Sequence, residues 1–247
     1  MGSGAESVIW HDVENGSYDA DFAVWRELAA SAGGPILEVG CGTGRVALDL
    51  AKRGHHVLGV DVDPVLVEAF RERAEDRELE ANAEVGDVRD LQVEGEFALV
   101  IVPMQTIQLL DGAEERRAAL EGMGLCLAPR GLLALAIVDG DLGAGAPGFE
   151  IGRPLPDIGE VDGWIYSSLP VELRADEGRI VIARLRQIIT PDGDLTDEHA
   201  ELALAVLDAG LLEAEAYEAG LRPAGRHEIA ATEAHVGSTV VLLEAAA

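Results

Sequence analysis

The stretch that decides the fold is Pro35-Ile-Leu-Glu-Val-Gly-Cys-Gly-Thr-Gly-Arg45, in which a short apolar run ends in three glycines at alternate positions. A segment with the apolar spacing of a helix follows directly. This order predicts a strand, a tight glycine turn and a helix. Glycine permits positive φ and lets the backbone come close to a ligand, so the turn predicts a binding site.

A second signal lies at the end of the next apolar run, Val57-Leu-Gly-Val, which is followed by Asp61. In nucleotide-binding α/β folds, a carboxylate at this position accepts hydrogen bonds from ribose hydroxyls. The glycine turn and this acid together predict a cofactor that contains a nucleoside.

The spacing alone leaves open which nucleoside cofactor binds. The dinucleotide fingerprint G-x-G-x-x-G, read from Gly40, requires a third glycine at the position of Arg45. Read from Gly42, it requires one at Ala47, where the motif tolerates alanine. In this reading, Asp61 lies near the position expected for the acidic residue, about 20 residues after the glycines. A nicotinamide oxidoreductase therefore remains an alternative at this point.

The run Glu38-x-Gly40-x-Gly42-x-Gly44 resembles the first motif of the class I S-adenosylmethionine (SAM) dependent methyltransferases. Three further segments resemble later motifs of that family, in the family's order, so that the resemblance covers roughly residues 35–140. These segments are Val85–Asp90, Phe97–Met104 and Leu125–Leu133.

The resemblance implies which residues meet the methionine end of SAM. Glu38 would order the turn or reach the amino group, and the backbone near Val102 and Pro103 would meet the methionine moiety. The backbone amides of the turn would approach the same end of the cofactor. The turn residues concerned are Gly40, Cys41, Gly42 and Gly44.

The resemblance also implies which residues hold the nucleoside. Asp61 would bind the ribose, and Asp87 would accept a hydrogen bond from the adenine amino group. Val62 and Val88 would flank the adenine ring.

Candidate catalytic residues come from three parts of the chain. Gln105 or Gln108, which follow the fourth predicted strand, could orient the methyl acceptor, although either is equally well explained as a solvated loop residue. His11 would lie under an N-terminal lid, and His235 lies between the last two predicted strands. We expect no metal site, because no cluster of metal-ligand residues is evident in the sequence.

Strands alternate with helices up to Asp139, a pattern that predicts a parallel sheet with helices on both faces. We expect an α/β fold: a doubly wound, mostly parallel, seven-stranded Rossmann-like sheet with a closing antiparallel hairpin and an antiparallel β insert. The chain is expected to form one domain over residues 1–247. Its N-terminal lid, with a helix over Tyr18–Ala32, would occupy about residues 1–34 and the insert about 141–207, with Asp141–Gly163 as a loop.

Composition limits the partners. The chain has 46 acidic and 18 basic residues and a formal charge of −28, which disfavours nucleic acids and anionic membranes. No apolar run approaches the roughly 18 residues of a transmembrane helix, and two cysteines make no disulfide framework. A cytoplasmic protein with a small-molecule methyl acceptor is expected, and a homodimer is left open.

These observations predict a SAM-dependent methyltransferase that acts on N or O of a small molecule. Enzymes of the resembled family that act on DNA bases or protein amides often carry Asp/Asn-Pro-Pro-Tyr/Phe after the fourth strand, where this chain has Val102-Pro-Met-Gln105. The alternative hypothesis is a non-catalytic SAM-binding module or partner subunit, which would share the cofactor motif but need no acceptor pocket.

Overall fold

The computed structural model describes residues 3–140, 154–232 and 235–246. In these parts of the chain the helices are α1 (Ser3–Asn15), α2 (Phe22–Ala32), α3 (Arg45–Ala51), α4 (Pro64–Asp76), α5 (Gly112–Leu125) and α6 (Ala209–Glu218). The strands are β1 (Ile36–Val39), β2 (Val57–Asp61), β3 (Ala81–Val85), β4 (Phe97–Val102), β5 (Leu127–Ile137), β6 (Asp157–Val161), β7 (Trp164–Asp176), β8 (Arg179–Ile189), β9 (Leu195–Ala205), β10 (Leu221–Ile229) and β11 (Ser238–Ala245).

The central sheet has seven strands in the order β10-β11-β5-β4-β1-β2-β3. The first five strands of the chain pair in parallel, whereas β11 runs antiparallel to β5 and β10 antiparallel to β11. This arrangement confirms the predicted fold class, including the closing hairpin. The strand order reverses between β1 and β4, and ligands of such sheets bind beyond the carboxyl ends of the strands at this point.

Two apolar layers cover the sheet. Helices α2, α3 and α4 pack on one face, and α5 and α6 pack on the other. All four residues of β1 are buried, as expected for a central parallel strand that is covered on both faces. The site at the end of β1 is therefore attached to a strand that is buried along its whole length.

Strands β6 to β9 form a second, antiparallel sheet. It confirms the antiparallel insert, but the first strand of the insert begins within the segment expected to be a loop, because Asp157–Val161 is strand β6. This short strand carries little apolar signal and is defined by its pairing with β7. The rest of the expected loop, residues 141–153, lies outside the described residues.

The N-terminal segment differs from the prediction. A single helix was expected over Tyr18–Ala32, but α2 begins only at Phe22 and a further helix, α1, precedes it. The apolar periodicity of α1 is weak, so the sequence did not reveal it. Contacts with distant residues stabilise it: Trp10 packs edge-on against Tyr166, with ring centroids 5.3 Å apart.

Among the described residues, no helix is both long and apolar enough to cross a membrane. Within the same ranges, no group of three or more His, Cys, Asp or Glu residues is arranged to hold a metal ion.

Candidate functional site

The glycine turn joins β1 to α3 and has the backbone conformation that only glycine adopts easily. The φ angles of Gly40, Gly42 and Gly44 are 72°, 51° and 91°. A Cβ atom on Gly40 would lie 2.5 Å from Cγ2 of Thr106, and one on Gly42 would overlap the imidazole of His11. The turn is therefore approached closely from two directions, by α1 and by the loop after β4.

The amides of the turn are already used within the chain. Gly40 and Cys41 both donate to the Val60 carbonyl, at 2.8 and 3.1 Å. Gly42 donates to Asp61 Oδ2 at 2.8 Å, and Gly44 donates to the Cys41 carbonyl at 2.9 Å. These four amides therefore have partners within the chain, and the approach of the turn backbone to a cofactor stays a prediction.

Asp61 ends β2 and faces the turn. Its Oδ2 accepts from the Gly42 N–H, and its Oδ1 accepts from the Asp63 N–H at 3.0 Å. A carboxylate has about four acceptor sites, so each oxygen can still accept one further hydrogen bond. The side chain is half-buried and is fixed in place by the backbone, as a ribose-binding carboxylate requires.

Glu38 lies on β1 beneath the turn and is only 2% exposed. Burial raises its pKa to about 8, although the Arg45 charge and the Ala47 N–H act in the opposite direction. Among the described residues, its Oε2 has no hydrogen-bond partner. An unpartnered buried carboxylate oxygen beside a glycine turn fits a cofactor that carries an ammonium group.

Cys41 does not face a ligand. Its sulfur packs against β2, where a Cβ on Gly59 would lie 2.6 Å from Sγ. Burial raises the pKa of the thiol far above its usual value, so it stays protonated. Its amide is bonded to Val60 and its side chain packs the turn onto the sheet, so the cofactor role of Cys41 stays a prediction.

The carboxyl ends of β2 and β3 are neighbours, with Asp61 paired to Val85 in the sheet register. Val62 is 66% exposed at this edge and offers an apolar surface to a ring, while Val88 is half-buried. Asp87 binds the Arg89 guanidinium and N–H, and Arg89 lowers the pKa of Asp87 to about 2. An adenine amino group would have to share this carboxylate with Arg89.

Val102 and Pro103 are buried at the end of β4, and the contact of their backbone with a ligand stays a prediction. The next residue, Met104, has a φ of 56°, and this left-handed bend brings Thr106 over Gly40. Thr106 is a site residue that the sequence did not indicate, because the positive φ falls on a residue other than glycine.

The two glutamines of the loop after β4 differ in role. Gln108 is fully buried and bonds three backbone groups, since its Nε2 donates to the carbonyls of Val138 and Ala205 and its Oε1 accepts from the Val138 N–H. It ties the loop to β5 and β9 and cannot orient an acceptor. Gln105 is half-buried and remains a candidate.

His11 is brought to the turn by α1. Its Nδ1 lies 3.3 Å from Thr43 Oγ1, and Thr43 donates its hydroxyl proton to Asp12 at 2.7 Å. Nδ1 must then be the donor to Thr43, so that a neutral His11 keeps its lone pair on Nε2, the atom that faces Gly42. This tautomer is the one that a proton acceptor at the turn needs.

His235 lies elsewhere. Its ring packs edge-on against Tyr18, with centroids 4.9 Å apart, and its N–H donates to Thr232. The described contacts do not join it to His11 or Gln105. The three candidate catalytic residues therefore do not form a single cluster in the described parts of the chain.

Arg45 forms an ion pair that the sequence did not reveal. It occupies the third glycine position when the dinucleotide fingerprint is read from Gly40. It binds both oxygens of the buried Asp21, at 2.8 and 2.6 Å, and the Trp25 indole donates to the same carboxylate. Arg45 thereby fixes the segment before α2 onto the turn. A dinucleotide fold uses a small residue here for close helix packing, so this pair argues against that reading.

Three comparisons relate the chain to known proteins. A family model described as a methyltransferase domain matches residues 36–131. Cypemycin N-terminal methyltransferase of a Streptomyces species is 34% identical over 107 residues, which is 43% of either chain. An S-adenosyl-L-methionine-dependent Diels-Alderase of Talaromyces variabilis is 37% identical over 118 residues, covering 45% of this chain and 39% of the relative.

A solved sugar N-methyltransferase from Streptoalloteichus sp. ATCC 53650 has the same fold, with a TM-score of 0.73 and 17% identity over 96% of this chain and 92% of that one. At this identity the likeness shows the fold alone. The methyltransferase-domain model describes residues 36–131 and not the rest of the chain. The chain spans less than half the length of the curated relatives that it matches.

Proposed function

We propose that this protein transfers a methyl group from SAM to a nitrogen or oxygen atom of a small molecule. The observation that carries the proposal is the arrangement at the carboxyl ends of β1 and β2: a glycine turn, the fixed carboxylate of Asp61, and the unpartnered carboxylate oxygen of Glu38. When bound, SAM supplies an electrophilic methyl carbon on a sulfonium.

Each of these residues has a defined task. Asp61 accepts the ribose hydroxyls, and Glu38 accepts the ammonium group of the methionine end. Val62 gives the adenine ring an apolar surface. The bend at Gly40 to Gly44 permits contact with the backbone itself. Positioning of this kind is worth about 7–11 kcal/mol in favourable cases.

His11 is the residue that we propose as proton acceptor, because its Nε2 lone pair faces the turn. An acceptor that arrives protonated must lose a proton to attack, and an imidazole is suited to take it near neutral pH. Gln105, in the loop after β4, is the residue that we propose to orient the acceptor. For a small-molecule acceptor, support comes from the charge of −28, which disfavours nucleic acids, and from the shared fold with a sugar N-methyltransferase.

The function is tested by a screen for transfer of a labelled methyl group to amines, phenols and carboxylates, together with calorimetric titration of SAM and of NAD. We expect SAM to bind and at least one acceptor class to be labelled. Binding of NAD without SAM would refute the proposal.

Asp61→Ala is expected to weaken SAM binding at least about tenfold, because it removes a charged acceptor from the ribose. Glu84→Ala removes an exposed acid from the neighbouring strand and is the matched control. Equal SAM affinity in both variants would refute the ribose assignment.

A second candidate function is a SAM-binding protein that transfers no methyl group. It is favoured by the way Thr106 and His11 lie directly on the glycine faces, and by the relative named as a SAM-dependent Diels-Alderase. SAM binding without transfer to any acceptor class would favour this candidate.

A further inference from the structure

A cavity of about 340 Å³ lies on the outer side of the glycine turn, between α1, α3 and α4. Its charged lining comprises Asp12, Arg45, Asp49, Lys52, Arg73 and Arg77. His11, Thr43 and Gly44 border it on the side of the turn, whereas neither Asp61 nor the loop after β4 lines it. Four cationic side chains face two acidic ones, a reversal of the charge balance of the chain.

The acids and two of the cations of this cavity are already paired. Asp12 binds Arg73 through both oxygens, and Asp49 binds Arg26 and Arg53 from outside the cavity. Arg45 is held by Asp21. These groups form a fixed polar wall and need no further partner.

Lys52 and Arg77 differ from most lysine and arginine side chains in the described parts of the chain. Among the described residues, Arg130 is the only other cationic side chain that has neither an ion pair nor a side-chain hydrogen bond. The chain has 46 acids for 18 bases, so pairing is the general rule. That two of the three unpaired cations line one cavity is the observation to be explained.

We propose that this cavity is a binding site for a small polyanion, with at least two phosphate or carboxylate groups, held between Lys52 and Arg77. The cavity volume lies in the range of small-molecule sites. Charge-assisted hydrogen bonds from an ammonium and a guanidinium would supply the partners that the protein does not. A polyanion is repelled by the rest of this acidic surface, so the local excess of positive charge selects the site.

The test uses the fact that Lys52 is the sole lysine of the 247-residue sequence. An amine-selective reagent, trinitrobenzenesulfonate, is allowed to react with the full chain, and labelling of Lys52 is followed by peptide mass spectrometry. Pyrophosphate or citrate is expected to slow the labelling several-fold in a saturable manner, at a constant ionic strength set with chloride. Stronger protection by pyrophosphate would indicate a phosphate ligand, and stronger protection by citrate would indicate a carboxylate ligand.

Arg77→Gln is the diagnostic variant, and Arg130→Gln is its matched control, since both remove an unpaired arginine. Arg77→Gln removes one charge-assisted contact, so the probe concentration that halves the labelling rate of Lys52 should rise about tenfold. In Arg130→Gln this concentration should stay unchanged. Lys52 is the C-cap of α3 and Arg77 that of α4. If these cations serve only the helix ends, neither probe protects Lys52 more than chloride does, and the proposal is overturned.

Discussion

Glu38 shows at the scale of one residue how the site departs from ordinary core packing. A buried carboxylate oxygen without a partner costs free energy, and an apolar residue on β1 would avoid that cost. The chain instead keeps an acid whose pKa is raised to about 8 beneath the turn. Under the proposed function, Oε2 of Glu38 gains its partner when the ammonium group of SAM binds.

Glu38→Gln is expected to make stability less dependent on pH. The folded protein keeps a proton on Glu38 between about pH 4.5 and 8, where the unfolded chain has released it. Its contribution to the free energy of unfolding therefore falls as the pH rises through this window. Urea denaturation should show the advantage of the variant growing, on the order of a few kcal/mol, from pH 5 to pH 9. Glu84→Gln should show no such trend, and a constant difference for Glu38→Gln would mean that Glu38 is ionised in the fold.

Gly42→Ala tests the close approach of His11. The φ of Gly42, 51°, resembles that of Gly33, 66°, but nothing lies within 4 Å of a Cβ at Gly33. Gly33→Ala should therefore lose only about 1 kcal/mol from backbone strain. Gly42→Ala should lose more and displace α1, which hydrogen exchange of the α1 amides would report. Equal losses in the two variants would place His11 away from the turn.

At the scale of elements, α1 contacts the glycine turn, α4 and the second sheet. Asp12 binds Thr43 of the turn and Arg73 of α4, while Glu14 binds Arg186 of β8. Because α1 contacts both the glycine turn and the second sheet, its position decides whether His11 lies on Gly42. The lid role of this segment remains a proposal.

Asp12→Asn is expected to loosen α1. Burial alone would raise the Asp12 pKa, but hydrogen bonds from His11, Arg73 and Thr43 hold it well below its usual value. The contribution of the Asp12 carboxylate to the free energy of unfolding is thus complete above about pH 4 and is lost as the pH falls towards the lowered pKa. Urea denaturation at pH 7 should show a loss of about 1 kcal/mol, reduced by solvent screening, and a smaller loss at pH 3. Asp19→Asn, at an exposed acid, is the control; equal losses for both variants at pH 7 would contradict the role of Asp12.

The central sheet could be predicted from the sequence because its signals are local. The run from Ile36 to Gly44 contains both the apolar strand and the turn, and Asp63-Pro64 marks the start of α4, where Asp63 accepts the Val65 N–H. Helix α1 could not be predicted, because residues far away in sequence stabilise it. Strand β6 could not be predicted, because it carries little apolar signal and is defined by its pairing with β7.

The site likewise contains some features that the sequence predicts and others that it does not. The positions of Asp61 and Glu38 follow from motif spacing, whereas Thr106 reaches Gly40 only through the positive φ of Met104. The internal bonds of the turn amides and the inward direction of Cys41 depend on β2, a different segment of the chain. Spacing in a sequence gives the residues of a site but not the way their hydrogen bonds are distributed.

For the whole molecule, the wide sequence separation of the α1 contacts has a kinetic consequence. Asp12 and Arg73 are 61 residues apart, and Glu14 and Arg186 are 172 apart. Closing such long loops is entropically costly, so these pairs form after the sheets have assembled. Stopped-flow measurements on Glu14→Gln should show faster unfolding with an unchanged refolding rate. The helix that covers the turn would then be the last to dock and the first to detach.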